Sequence, residues 1–248
     1  KDNLTWLIPP ERGASFYSTG GLVAVHAKSL DRNYLFDSLY NREVYATSGE
    51  RILLWFDFIH PLLGKIPMGS EISLKQTKPN FSVKAIGSFK QKPGCPDYVH
   101  TSLDKNKISK LCLNECYNPT NERNKIDRIE VVKINVTKDL DNLNTAIQDP
   151  WKVFKCQDKG EGCSFQFTDS DFLIDKNETV YYVRAIQEET LAVGGDPLRC
   201  VLDEEGECIK TAPCYASGSK FNPKDDCLAP IGERAWSSPI FISHENSS

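Results

Sequence analysis

Residues 50–248 read as mainly β, an antiparallel β-sandwich, and residues 20–49 before them read as a βαβ unit. Three observations lead there. Short runs rich in Val, Ile, Tyr, Phe and Trp recur after Glu50, with Gly, Pro, Asn and Asp between them. Helical spacing of apolar residues is confined to one stretch, Gly20–Gly49. The 248-residue length suits one large domain, or one domain plus a fragment of another.

The chain opens with a polar stretch, 1–19, that contains Pro9-Pro10 and reads as an irregular arm. Gly20-Gly21 then leads into Leu22–Ala27, a short strand. Ser29 or Asp31 offers an oxygen to the free N–H groups of a helix start. Leu35, Phe36, Leu39 and Tyr40 fall on one face of that helix, and Arg42 sits where the dipole favours a cation. Val44–Thr47 is a second strand and Gly49 ends it. Strand, helix and strand with short links imply two parallel strands and a covered sheet. Such a unit needs neighbours on both edges and layers on both faces. It therefore reads as the last repeat of a larger α/β domain whose remainder lies outside this chain.

From Arg51 the period changes. Ile52–Phe58 is a dense apolar strand, Pro61–Gly69 a loop, and Glu71–Gln76 and Phe81–Phe89 are further strands. Residues 90–125 lack periodicity and hold three cysteines, so they read as an irregular insertion fixed by disulfides. Ile126–Thr137 is a strong strand. A glycan on Asn135 must face water, which would place Ile129, Val131 and Lys133 outward and Val132, Ile134 and Val136 inward. Trp151–Gln157, Ser164–Thr168, Thr179–Gln187 and Pro239–Ser243 complete the series.

Several stretches resemble a known family. They are GGLVAVHAKSLDRNYLFDSLYNREVYATSGERI from Gly20, ETVYYVRAIQE at Glu178–Glu188, DPLRCVLDEEGECIKTAPC at Asp196–Cys214, DDCLAP at Asp225–Pro230 and ERAWSSPIFI at Glu233–Ile242. Together, and in this order, they look like the C-terminal part of a large uncharacterised family. That family carries a metal-dependent barrel of the polymerase-and-histidinol-phosphatase (PHP) type. The resemblance implies that 20–49 is the last βαβ element of a PHP-type α/β barrel. It also implies a divalent metal held by His and Asp residues upstream of Lys1, with no cofactor in this chain.

Composition narrows the setting. A formal charge of −4 without a basic cluster argues against a nucleic-acid partner. No apolar run approaches ~18 residues, so no membrane-spanning helix is expected. The chain has neither an initiator Met nor a signal peptide, which reads as processing. Nine cysteines and five N-glycosylation sequons, at Asn3, Asn80, Asn135, Asn177 and Asn246, point to a secreted, extracellular or lumenal glycoprotein.

Three loops are short and turn-rich enough for local disulfides: Cys156–Cys163, Cys200–Cys208 and Cys214–Cys227. Cys95, Cys112 and Cys116 leave three thiols for one bridge. A zinc site from Cys95, His100, Cys112 and Cys116 is the alternative, although only one close pair is present. The other histidines, His26, His60 and His244, lie apart and in no metal-binding spacing; His26 reads as a hydrogen-bonded core residue. Gly194-Gly195-Asp196 lacks the lysine and helix of a phosphate loop and reads as a turn. The acidic run Asp203–Glu207 reads as a solvated turn. Tyr45, Thr47 and Ser48 close the second strand. They are candidates to line a barrel mouth, since α/β sites gather at strand C-termini, with simple packing as the alternative.

Three functions are expected of such a chain. The first is a C-terminal structural segment of a secreted protein resembling PHP-type phosphoesterases, partnered by the N-terminal part of the same precursor. The second is an extracellular building block of a surface layer or filament, partnered by further copies of itself. The third is a carbohydrate- or protein-binding sandwich that uses Trp151, Trp236, Tyr181 and Tyr182 as a platform.

Overall fold

The structure is a computed structural model that describes residues 20–112, 116–136, 143–175, 177–192, 200–211 and 228–245. It is mainly β, with two antiparallel-rich sheets packed face to face. The larger has eight strands. Its path runs β1 (Leu22–Val25), β2 (Val44–Thr47), β15 (Ala229–Ser237), β12 (Thr179–Ala192), β16 (Ile240–His244) and β5 (Glu71–Leu74), and β9 (Ile126–Asn135) and β10 (Ile147–Lys155) extend it on the other side of β12. The smaller sheet runs β11 (Cys163–Thr168), β6 (Asn80–Ile86), β3 (Leu53–His60) and β4 (Gly64–Pro67). All pairs in both sheets are antiparallel except β16 with β5.

The core lies between the sheets and is aromatic. Phe56, Phe58, Phe81 and Phe167 of the smaller sheet meet Tyr181, Val183, Ala185, Ala235 and Ile242 of the larger. Phe81 and Tyr181 have ring centroids 4.7 Å apart across the interface. Period-two alternation explains the choice of residues: Leu54, Phe56 and Phe58 are fully buried while their neighbours in β3 are only partly so. The stretch 61–69, expected as a loop, contains β4. Gly64 at φ 76° permits the tight turn that pairs it back on β3.

The first unit keeps its strand–helix–strand order but corrects the expected parallel pairing. β1 and β2 are antiparallel, with Leu22 opposite Thr47 and Val25 opposite Val44. The helix α1 (Arg32–Tyr40) is an excursion in the hairpin connection. Asp31 caps its start by accepting from the Asn33 amide at 2.9 Å. After Tyr40 there is no return crossover. Arg42 adopts φ 61°, the Glu43 amide closes onto the Ser38 carbonyl, and the Glu43 carbonyl accepts from His26. A three-residue link thus delivers the chain to the same end that β1 left. Arg42 lies past the last turn; it donates to the Gly69 carbonyl at 3.0 Å and to Glu71 at 2.8 Å.

β9 carries a second correction. Ile129, Val131 and Lys133 are buried toward the core, not turned to water; Val132 is buried as expected, whereas Val136 is exposed. The reason is an ion pair. Lys133 Nζ lies 2.8 Å from Asp169 Oδ2, and both side chains are buried. The Tyr181 hydroxyl donates to the same oxygen at 2.6 Å, the Asp171 amide donates to Oδ1 at 2.9 Å, and the Trp151 ring lies 5.4 Å from the ammonium. A lysine with such a partner occupies an inward position that pattern alone gives to an apolar residue. Burial by itself would raise the Asp169 pKa. Lys133, Tyr181 and the Asp171 amide outweigh it and hold the carboxyl below its usual value.

The insertion at 90–125 is more regular than expected. β7 (Phe89–Gln91) pairs with β8 (Pro119–Arg123), and two short helices, α2 (Asp97–Ser102) and α3 (Lys105–Cys112), fill the space between. A Cys95–Cys116 disulfide closes it. Cys156 and Cys163 are joined, as are Cys200 and Cys208. Cys214 and Cys227 lie outside the described residues, as do the Cys112 side chain, Gly194-Gly195-Asp196 and the 1–19 arm. The acidic Asp203–Glu207 run is the turn between β13 (Val201–Leu202) and β14 (Cys208–Lys210), with Asp203 Oδ1 accepting from the Glu205 and Glu207 amides.

Removing one partner from the buried pair leaves an uncompensated charge. Asp169→Ala is expected to lower unfolding stability by about 3–5 kcal/mol in urea titration, and Lys133→Met/Asp169→Leu to recover much of that loss. Because the folded Asp169 pKa is depressed, its contribution is full above an unfolded value of about 3.9 and vanishes as pH falls through the folded value. The acid limb of the stability curve should therefore flatten in the double variant.

Candidate functional site

Among the described residues, exposed large apolar side chains gather on and between the first three elements. α1 turns Leu35 and the buried Ser38 toward the protein. Its aromatic stripe points away: Phe36 is 64% exposed, Leu39 52% and Tyr40 78%, while Leu30 before the helix is 92% exposed. The Phe36 and Tyr40 rings stack at 6.3 Å. Apolar helical spacing predicts one covered face from Leu35, Phe36, Leu39 and Tyr40; Leu35 alone of the four turns inward. β1 ends the sheet path, and among the described residues no strand pairs with its outer edge. Val23 on that edge is 68% exposed. Surfaces of this composition mark interaction sites, and an uncapped edge is a template for strand addition.

The other flank of β2 is closed. Tyr45 and Thr47 point into the core; the Tyr45 hydroxyl donates to the Ile52 carbonyl at 3.0 Å, and burial raises its pKa. Ser48 bonds the Glu233 carboxyl and accepts from the Arg234 amide at 2.9 Å. Within this chain Tyr45 and Thr47 are packed and Ser48 is half-buried. His26 is hydrogen-bonded, with Nε2 2.8 Å from the Leu54 carbonyl beside the Tyr45 and Trp55 rings. Glu233 was not legible as a site residue. Burial raises its carboxyl pKa, the nearby Glu50 adds to this, and the Ser48 hydroxyl opposes it.

The remaining candidates are dispersed. Cys95 and Cys116 are consumed in their disulfide, which removes the zinc alternative with His100 and Cys112. Among the described residues no three His, Cys, Asp or Glu side chains cluster to hold a metal. No described helix is long and apolar enough to cross a membrane. The four rings of the expected platform lie on two faces. Trp151 packs on Phe167 and Tyr181 in the core, whereas Tyr182 faces the opposite side with Trp236, which pairs with Arg184.

Of the sequons, Asn80 opens β6 on the face opposite the buried Phe81 and Val83, and its side chain accepts from Thr168 at 3.3 Å. Asn135 ends β9 on the core-facing side and accepts from Thr179 at 3.3 Å. Asn177 is exposed just before β12. Asn3 and Asn246 lie outside the described residues.

The fold and its open flank define the class: a disulfide-bonded β-sandwich with an uncovered strand–helix–strand module at one edge. Comparison adds one family. A family described as Protein of unknown function (DUF3604) matches residues 10–58 of the 248, which take in β1, α1, β2 and most of β3. No curated protein and no solved structure matches the chain.

Two outcomes follow from this geometry. Phe36→Ser/Tyr40→Ser is expected to reduce binding of an apolar dye while moving the urea midpoint little, since exposed side chains carry little folding energy. For Glu233 the folded pKa exceeds the unfolded value of about 4.3, so stability falls as pH rises through the interval between the two. Glu233→Gln should abolish that slope, seen as a smaller difference between urea midpoints at about pH 4.5 and about pH 7.

Proposed function

We propose that this chain is the C-terminal structural segment of a secreted glycoprotein resembling PHP-type metal-dependent phosphoesterases. Its role is to dock through β1 and α1 against the upstream part of the same protein, which holds the divalent metal and does the chemistry. The observation that carries this reading is the outward apolar stripe of α1 beside the open edge of β1. Burying a side chain of the size of Phe36, Leu39 or Tyr40 is worth about 1.5–3 kcal/mol each, so such a stripe favours a covering partner. The family match falls on this same module, which supports a role shared with relatives. Because β1 and β2 are antiparallel, the module acts as a docking hairpin rather than as a parallel barrel repeat. The Cys95–Cys116, Cys156–Cys163 and Cys200–Cys208 disulfides suit an oxidising compartment.

The test is cross-linking mass spectrometry on the native protein. Lys28, exposed between β1 and α1, is expected to link to peptides upstream of Lys1 that co-purify with this chain. Divalent metal and phosphoesterase activity should follow those peptides. Lys28 linked only to Lys28 of another copy would overturn this reading in favour of a self-assembling extracellular subunit, built by strand addition at β1.

A further inference from the structure

A groove of about 500 Å3 opens on the outer face of the larger sheet, where β5, β16 and the start of β12 meet. Thr179, Ile242 and Ile72 of these strands point inward, so the residues between them form the groove. Val180 and Phe241 make an apolar floor. Glu71 and Glu178 supply carboxylates at the rim. The Ser73 and Ser243 hydroxyls lie 2.8 Å apart along one wall. Arg42 fixes one end: it is bonded to Glu71 at 2.8 Å and has its guanidinium carbon 5.3 Å from the Phe241 ring centroid. The volume is that of a small-molecule site. An aromatic floor with hydroxyls and carboxylates around it matches the chemistry of a pyranose, which offers an apolar face and a ring of hydroxyl donors and acceptors.

A source for that sugar lies one residue along the chain from the groove's lining. Asn177, the acceptor of the Asn177-Glu-Thr sequon, is exposed and immediately precedes Glu178. The backbone here is held by two hydrogen bonds. The Asn177 carbonyl accepts from Thr179 at 3.1 Å, and the next carbonyl, of Glu178, accepts from the Val136 amide at 2.8 Å. Asn135, the other sequon at this end, is tied to Thr179 on the core-facing side. We infer that Asn177 carries an N-glycan whose first sugars fold back into this groove, with the N-acetyl and ring carbons on Phe241 and the hydroxyls on Ser73, Ser243 and Glu178. This rests on the secreted-glycoprotein reading and adds a built-in cradle to it.

Asn80, on the outer face of the other sheet, provides the internal comparison. The full chain is secreted from a eukaryotic host, and occupancy of Asn177 and Asn80 is read by glycopeptide mass spectrometry. Release by peptide N-glycosidase is then timed on the native protein. Both sites should be occupied, and the Asn177 glycan should leave at least about tenfold more slowly than the Asn80 glycan, a difference of about 1.4 kcal/mol in protection. Phe241→Ala, and separately Ser73→Ala/Ser243→Ala, should bring the two rates together while the Asn80 rate stays constant. An unoccupied Asn177 beside an occupied Asn80 overturns the cradle alone. So do equal native rates, or a rate gap that survives both variants. Absence of sugar at every sequon overturns the glycoprotein reading beneath it.

Discussion

The ion pair between Lys133 and Asp169 sets how the two sheets meet. Lys133 comes from the larger sheet, while Asp169 follows directly on β11 of the smaller one and its amide bonds the Pro79 carbonyl just before β6. Tyr181 of β12 reaches the same carboxylate. Three stretches of chain thus meet at one carboxylate inside an otherwise aromatic core, and the backbone amide of the same residue ties in a fourth. Replacing such a pair with apolar residues need not cost stability, so its value lies in specifying an arrangement. A hydrophobic core tolerates sliding of one sheet over the other; a buried charge held by fixed partners tolerates very little. The same pair decides which face of β9 is inside, and through β9 the placement of β10 and β12 beside it.

Much of the sandwich was legible because its strands alternate in the ordinary way. β3 and β6 follow from their runs of Leu, Phe and Val, and the ends of β16 and β12 from theirs. What could not be read was long-range. The face of β9 comes out inverted because the expectation hangs on a glycan at Asn135 facing water, whereas Lys133 on the same face finds its partner in Asp169, thirty-six positions further on. The direction of β2 was missed because a strand–helix–strand order is shared by a crossover and by a hairpin with a helical loop. The difference lies in Arg42, whose left-handed backbone no propensity suggests. β4, β7 and β8 are short and rich in Gly, Pro or charge, so they exist by virtue of their partners and not their own composition.

The candidate site was half visible. The apolar spacing Phe36, Leu39, Tyr40 is plain in the sequence, and it said that this face needs a cover; it could not say that the cover is not provided by the sheet beneath. Glu233 gave no signal, because a lone glutamate in ERAWSS is unremarkable until Ser48 and Glu50 are placed around it. The pairing of Cys95 with Cys116 was open in sequence for the opposite reason, three thiols within reach of one another. Here the β7–β8 ladder decides, since it brings the two ends of the insertion together.

β11 is held differently at its two ends. At its start Cys163 is bonded to Cys156, which follows β10 of the other sheet, and just past its end Asp169 meets Lys133. One attachment is covalent and indifferent to acidity; the other depends on an ionised carboxylate. Discharging Asp169 therefore weakens the join between the sheets at that end alone, while the cysteine end keeps its covalent link.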